Sequence, residues 1–263
     1  MICIVPAAVS FEGQPLLDYM MLKDGHVVPA RSSIALQRGE NNDTRWAPPV
    51  FDVDGVRIAV IFDLDRELEM LPTGVDLIAY FQFNAFEMTD RETAAIAAVR
   101  SGAYRKIASK RSVWFACMAP VGAYDESVYT GGSFVLDDCG RVVAQAPCFE
   151  ESLLVQEIQR GVMLDALEDH ELTEFRSEEW LWQALVLAVR DNARAHGASR
   201  AVVALEGDLP SSLLAALAVD ALGPRNVIGL VLGRNRIFTP AQEEAGYSRC
   251  GQLPFPNSLF SGE

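Results

Sequence analysis

The stretch Val203-Ala-Leu-Glu-Gly-Asp-Leu-Pro-Ser-Ser-Leu-Leu-Ala-Ala-Leu-Ala-Val-Asp-Ala-Leu-Gly223 reads as a strand, a tight turn and a helix. The strand runs from Ala201 to Leu205 and the helix from Ser211 to Leu222, with Gly223-Pro224 as the stop signal. A second strand, Val227 to Leu232, follows, so the segment is one βαβ unit with parallel strands. A turn that opens a helix in this way often holds a phosphate, because the first backbone N–H groups of the helix have no partner of their own. Here the turn carries Glu206 and Asp208, whose charges repel a phosphate.

Working backwards from that unit, Ser177 is an N-cap residue type with Glu178 and Glu179 in the first turn, and Gly197 closes a long helix just after His196. Trp180 and Trp182 sit on different faces of that helix, one for packing and the other for a contact with a partner. Before it, composition turns acidic and polar around Glu168-Asp169-His170-Glu171, which marks residues 160–176 as a linker. The linker separates a first unit, 1–159, from a second, 177–263. In the first unit, Asp24-Gly25 and Asp54-Gly55 each lie between apolar runs and read as two-residue hairpin turns. Ile58 to Phe62, Leu77 to Phe83 and Val113 to Ala119 read as buried strands. Thr89-Asp-Arg-Glu92 is a capping box that opens one helix reaching to Lys110. Gly131 to Ala146 reads as a further hairpin, and the last thirty or so residues as an extended or poorly ordered tail.

The bulk composition removes several classes of function. With 263 residues, 50% of them hydrophobic, the chain buries a substantial core. A formal net charge of −14 without a basic run speaks against nucleic acid and anionic membranes as partners. No apolar run is long enough to span a bilayer, and the start Met-Ile-Cys-Ile-Val-Pro has no signal-peptide pattern, so the expected location is the cytoplasm. The 5 cysteines are scattered without paired metal spacing and read as reduced thiols. The 3 histidines, His26, His170 and His196, lie in separate segments, which leaves little material for a metal site or a Ser-His relay.

The order of segments resembles the glutamine-dependent NAD synthetases, which join a nitrilase-type glutaminase domain to a synthetase domain. The resemblance rests on Val60-Ile-Phe-Asp-Leu-Asp65, Asp76-Leu-Ile-Ala-Tyr80, Pro120-Val-Gly-Ala-Tyr-Asp-Glu-Ser-Val-Tyr-Thr-Gly-Gly-Ser-Phe134 and Ala146-Pro-Cys-Phe-Glu-Glu151 in the first unit. In the second it rests on Trp182-Gln-Ala-Leu-Val-Leu-Ala-Val-Arg-Asp191 and on Val203 through Gly229. The implied fold is α/β: a truncated nitrilase-like αββα sandwich lacking its N-terminal segment, followed by a partial Rossmann-like βαβ synthetase domain.

At the family's catalytic positions the sequence departs from the pattern. The nucleophilic cysteine of the family falls on Asp63, and a carboxylate is a far weaker nucleophile toward an amide than a thiolate. The family's lysine falls on Arg31, whose guanidinium keeps a positive charge but does not exchange a proton near neutral pH. Asp63 is therefore expected to be a buried strand-end carboxylate paired with Arg31, and the family's glutamate belongs to a segment that would precede Met1. The family's pyrophosphate loop, S-G-G-x-D-S, falls on Glu206-Gly207-Asp208-Leu209-Pro210-Ser211, of which Gly207 and Ser211 match. Glu206 and Asp208 repel an anion, Pro210 lacks an N–H, and Asp208 is able to cap the helix itself. Cys117, mid-strand, reads as a small apolar residue.

The resemblance thus implies a catalytically inactive relative with no cofactor and no metal, acting as a structural or regulatory subunit. A sheet without its first strands exposes edge and apolar surface, which implies a homo-oligomer or a complex with an active NAD synthetase-like chain. The competing reading is an active carbon–nitrogen hydrolase or synthetase that uses re-sited or partner-supplied residues.

Overall fold

The computed structural model describes residues 2–11, 14–23, 25–29, 48, 50–88, 90, 94–158, 171–172 and 175–231. Its centre is a mixed six-stranded sheet made by β4 (Val50–Val53), β5 (Val56–Ile61), β6 (Leu77–Phe81), β7 (Trp114–Met118), β10 (Phe134–Leu136) and β11 (Val142–Gln145). The spatial order is β11-β10-β7-β6-β5-β4, with β5, β6 and β7 parallel and the outer pairs antiparallel. The parallel strands are runs such as Val-Arg-Ile-Ala-Val-Ile and Leu-Ile-Ala-Tyr-Phe. Such continuous apolar runs are what a sheet covered on both faces requires.

Alternate residues serve the two faces. Ala59, Ile61, Ile78, Tyr80, Phe115 and Phe134 meet Ala95 and Val99 of α2 (Ala94–Arg100) and Tyr104 and Ala108 of α3 (Ala103–Arg111). Val60, Ala79 and Phe81 face the other way, with Ile4 of β1 (Ile2–Phe11) packed against them. Next to them Leu77, Trp114, Val135 and Val143 receive Leu154 and Ile158. Strand β1 pairs antiparallel with β2 (Gln14–Lys23), which pairs with β3 (His26–Pro29) across the turn at Gly25. The turn between β4 and β5 has positive φ at both Asp54 (51°) and Gly55 (84°), as the Asp-Gly pair requires.

Two local expectations change. The helix read as continuous to Lys110 is broken into α2 and α3, because Gly102 takes φ +79° and so leaves the right-handed helical region. The capping box itself lies outside the described residues at Thr89 and Glu92. Helix α4 (Ser177–Ala195) begins with Arg176 at the N-cap position and no side-chain cap bond, one residue before the expected cap Ser177. At its far end the His196 ring nitrogen Nδ1 lies 2.9 Å from the Asn192 carbonyl, and Gly197 takes φ +66°.

The second unit forms as read: β12 (Ala201–Leu205), α5 (Leu209–Leu222) and β13 (Val227–Val231), with the strands parallel in the register Ala201↔Val227 to Leu205↔Val231. Val203, Leu205 and Val227 pack against Ala215, Ala218 and Val219. Helix α4 buries Trp180, Ala184 and Leu187 against Ile96, Cys148 and Phe149 of the first unit. That spacing of i, i+4, i+7 is one helix face. Leu172 and Phe175, from the stretch read as a linker, pack into the same cluster. Residues 159–170 and 232–263 lie outside the described set, so the tail and most of the linker go with them.

Candidate functional site

Three places bear on function: the end of β5, the start of α5, and a cleft beside α4. At the first, β5 hands over to a single helical turn, α1 (Leu64–Glu67), and Asp63 caps it. The Asp63 Oδ1 accepts from the Arg66 backbone N–H at 3.3 Å, and Oδ2 lies 3.5 Å from Arg66 Nε. Behind it Glu67 is fully buried, and its Oε2 accepts from the N–H groups of Phe62 at 2.7 Å and Asp63 at 3.1 Å. Phe62 stacks on Phe81 with ring centroids 5.3 Å apart. The strand-end placement of Asp63 holds, but its side chain is 45% exposed rather than buried, because the capping turn lifts it to the surface. The expected partner Arg31 lies outside the described residues; the cation beside Asp63 is Arg66. Among the described residues, both oxygens of the Asp63 carboxylate are engaged within its own turn, by the backbone and the side chain of Arg66.

At the second place Asp208 is the N-cap of α5, which starts two residues earlier than the sequence pattern implied. Its Oδ1 accepts from the Ser211 N–H at 3.0 Å. The Glu206 N–H donates to Ser211 Oγ at 3.2 Å, and the Ser212 hydroxyl donates to the Asp208 carbonyl at 2.8 Å. Gly207 takes φ +77° to make the bend, and Pro210 in the first turn has no N–H. The donors of Glu206 and Ser211 are thus turned inward, onto the loop's own oxygens.

The described cysteines divide by burial. Cys117 lies in β7 opposite Tyr80, and burial pushes its thiol far above the usual range. Burial pushes the Cys148 thiol up to about 11. Cys3 and Cys139 are exposed. Among the described residues one group of metal-ligand type, Asp137, Asp138 and Cys139, brings its ligand atoms within 4.8 Å of one another. Asp137, however, is occupied: it accepts from the N–H of Cys139 at 3.0 Å, from the N–H of Arg141 at 2.8 Å and from Arg141 Nε at 2.7 Å. This set closes the β10–β11 turn. The two tryptophans divide as expected in one respect: Trp180 is buried against Phe149, ring centroids 4.6 Å apart. Trp182 donates from Nε1 to Asp220 of α5 at 2.9 Å and so ties the two helices together.

The third place was not read from the sequence. The ribbon of β8 (Val121–Tyr124) and β9 (Ser127–Thr130) lies against α4, and Asp191 Oδ2 accepts from the Ala123 N–H at 2.9 Å. Gly122 has φ +132°, and a Cβ there would come within 3.3 Å of Asp191 Oδ2. A cleft of about 250 Å³ opens beside this contact, floored by Phe149 and Leu187. The signal was present in two forms: Leu187, Arg190, Asp191 and Arg194 share one face of a helix by spacing, and Tyr124-Asp-Glu-Ser127 is a two-residue turn between strand-like quartets.

Comparison with known proteins matches this geometry to a family. The NAD synthase family model matches residues 181–247. The glutamine-dependent NAD(+) synthetase of Synechocystis sp. is 40% identical over 114 residues, 43% of this chain and 20% of that protein. The glutamine-dependent NAD(+) synthetase of Rhodobacter capsulatus is 37% identical over 108 residues, 41% of this chain and 20% of that protein. The structure of glutamine-dependent NAD+ synthetase from Acinetobacter baumannii, in complex with ADP, covers 97% of this chain at a TM-score of 0.74 and 20% identity. This chain in turn covers 49% of that one, so it spans about half the length of that protein. No helix among the described residues is long and apolar enough to cross a membrane. In sequence and in α/β fold, the chain is similar to the glutamine-dependent NAD synthetases over part of their length.

Proposed function

We propose that this chain is a catalytically silent relative of the glutamine-dependent NAD synthetases that serves as a structural or regulatory subunit. In this reading it assembles in the cytoplasm with copies of itself or with an active NAD synthetase-like chain. The observation that carries the reading is the start of α5. A carboxylate sits on the helix N-terminus where an anionic ligand would otherwise be held, bonded to Ser211 at 3.0 Å. It satisfies the same donor and the same end of the helix dipole as a phosphate oxygen would, and it is covalently present. Two like charges about 4 Å apart repel by about 1 kcal/mol in water and about 4 kcal/mol at an effective dielectric of 20. One such contact, at Asp208 or at Glu206, therefore opposes a polyphosphate by between about five- and a thousandfold in affinity. Exposed Val202, Leu209, Leu213, Leu214 and Leu230 on the βαβ unit support a role in assembly.

The test is a set of three measurements on the purified full chain. Titration calorimetry with MgATP gives no heat of binding, and glutaminase and NAD-formation assays on the chain alone stay at background. Glutamine hydrolysis that disappears in Asp63→Ala, or ATP binding that disappears on reversing Lys or Arg contacts outside the turn, overturns the proposal in favour of an active enzyme with re-sited groups. Light scattering that finds only a stable monomer overturns the assembly half.

A further inference from the structure

We propose that the cleft between α4 and the Phe149–Glu151 segment is a binding site for a free α-amino acid with an uncharged side chain. The inference does not rest on the chain being silent or active, since none of the positions aligned with the family's nucleophile or pyrophosphate loop lines this cleft.

The cleft is lined by two arginines and three carboxylates: Arg190, Asp191 and Arg194 on α4, and Glu150 and Glu151 on the facing segment. Arg190 and Arg194 stand one turn apart on α4 and line it from one side; Glu150 and Glu151 line it from the other. Among the described residues the side chains of Arg194, Glu150 and Glu151 have no hydrogen bond or ion pair. Arg190 is only loosely held, with Nη2 3.5 Å from the Phe149 carbonyl and Nε 3.5 Å from Asp191 Oδ1. Asp191 is committed elsewhere, to the Ala123 N–H, and that bond fixes the wall behind the arginines. A molecule with a carboxylate at one end and an ammonium two bonds away meets both sets at once. A dicarboxylate would face the glutamates and a diamine the arginines, so either pays a like-charge penalty that a zwitterion does not.

Size and surroundings narrow the ligand further. A volume of about 250 Å³ is below the usual range of roughly 300–1,000 Å³ for drug-sized ligands. A second cavity of about 210 Å³ shares Phe149, Leu187 and Arg190 with the first and continues toward Phe175, Val186 and the amide of Gln183. That extension is of mixed polarity: Phe149, Phe175, Val186 and Leu187 stand beside the Gln183 amide, and its only charges among the described lining residues are the shared Arg190 and Glu150, so it suits an uncharged side chain. The charged groups are solvated, Arg190 being 47% exposed, which keeps each contact weak. The expected dissociation constant is therefore on the order of 1 mM.

The experiment titrates the full chain with L-methionine, L-leucine and L-glutamine, followed by calorimetry or by ligand-observed NMR. Each is compared with its α-amide, which lacks the carboxylate, and its N-acetyl form, which lacks the ammonium. The expected result is saturable binding of at least one free acid, with each blocked form at least about tenfold weaker. Arg190→Gln with Arg194→Gln gives the same loss for the free acid and no further loss for its α-amide. Failure of all three acids to saturate up to their solubility overturns the proposal, as does equal binding of free and amidated forms. If the double variant does not keep the wild-type circular dichroism, the comparison of free and blocked ligands decides alone. Binding here with no glutaminase activity supports this site and the silent reading together; binding with turnover supports this site and refutes the other.

Discussion

Substitution at Asp208 separates the two roles assigned to its carboxylate. The Asp208 side chain caps its helix through Oδ1, which accepts from the Ser211 N–H at 3.0 Å. The other bonds of the turn use its backbone carbonyl, which accepts from Ser212, or join Glu206 to Ser211, and these survive any change of side chain. Asp208→Ala removes this cap bond, with an expected loss of about 1 kcal/mol. Asp208→Asn keeps an oxygen that caps as well as aspartate does and removes only the charge at the helix start, for about 0.3–0.5 kcal/mol. The chain has more than one packed unit, so a single global unfolding midpoint mixes them. The informative assay is amide hydrogen exchange in the first turn of α5, read at Ser211, with urea unfolding as a second readout. In Asp208→Ala the Ser211 amide exchanges about five- to tenfold faster, since about 1.4 kcal/mol is a factor of ten in a local opening constant. In Asp208→Asn it stays within about twofold of the wild type. If alanine leaves Ser211 protection unchanged, Asp208 is not the cap. If asparagine is as damaging as alanine, the interaction is charge rather than hydrogen bonding, and the turn is a less closed anion site than argued.

Three further outcomes follow from other contacts. Gly140→Ala places a Cβ 2.6 Å from the Arg105 carbonyl at φ +82°, whereas Gly55→Ala at φ +84° meets nothing within 4 Å. Both lose about 1 kcal/mol to left-handed strain, and Gly140→Ala loses roughly 2 kcal/mol more because a backbone oxygen must move, so urea unfolding ranks Gly140→Ala well below Gly55→Ala. Iodoacetamide at pH 8 labels Cys3 and Cys139 in the native chain and spares Cys117 and Cys148. With the Cys148 thiol pushed up to about 11, the thiolate that reacts forms only as pH rises through that value, so mass spectrometry shows Cys148 labelled only in urea or at high pH. Trp182→Phe removes the 2.9 Å bond to Asp220 between α4 and α5 and lowers stability by about 0.5–1.5 kcal/mol, while Asp220→Asn, which keeps an acceptor, stays near wild type in thermal unfolding.

What the sequence conveyed and what it concealed differ by the range of the interaction. The βαβ unit was legible because each of its signals is local: β-branched runs, Asp208 before a helix, Gly223-Pro224 after it. The break at Gly102 is equally local, but Gly102 follows Ser101 inside an otherwise helical pattern, and a lone glycine there does not by itself specify a left-handed turn. The exposure of Asp63 depended on whether the chain after β5 turned back as a helix, which Leu64-Asp-Arg-Glu67 is too short to signal by period. The cleft was hidden for a different reason. Its walls come from three stretches whose side chains are unremarkable alone: Val121-Gly122 on a ribbon, Phe149-Glu150-Glu151 after a sheet edge, and Leu187 to Arg194 on a helix. Each stretch lies in or directly beside a segment that carried the family resemblance, yet none holds a position aligned with the family's nucleophile, lysine or pyrophosphate loop. Charges on a helix face read as solvation until a partner surface is known to lie within 3 Å, as the Asp191–Ala123 bond places it. That bond joins residues 68 apart, and no periodicity of one element reports it. Three of the segments that carried the resemblance therefore meet at a junction between packed units, which no one of them signals alone.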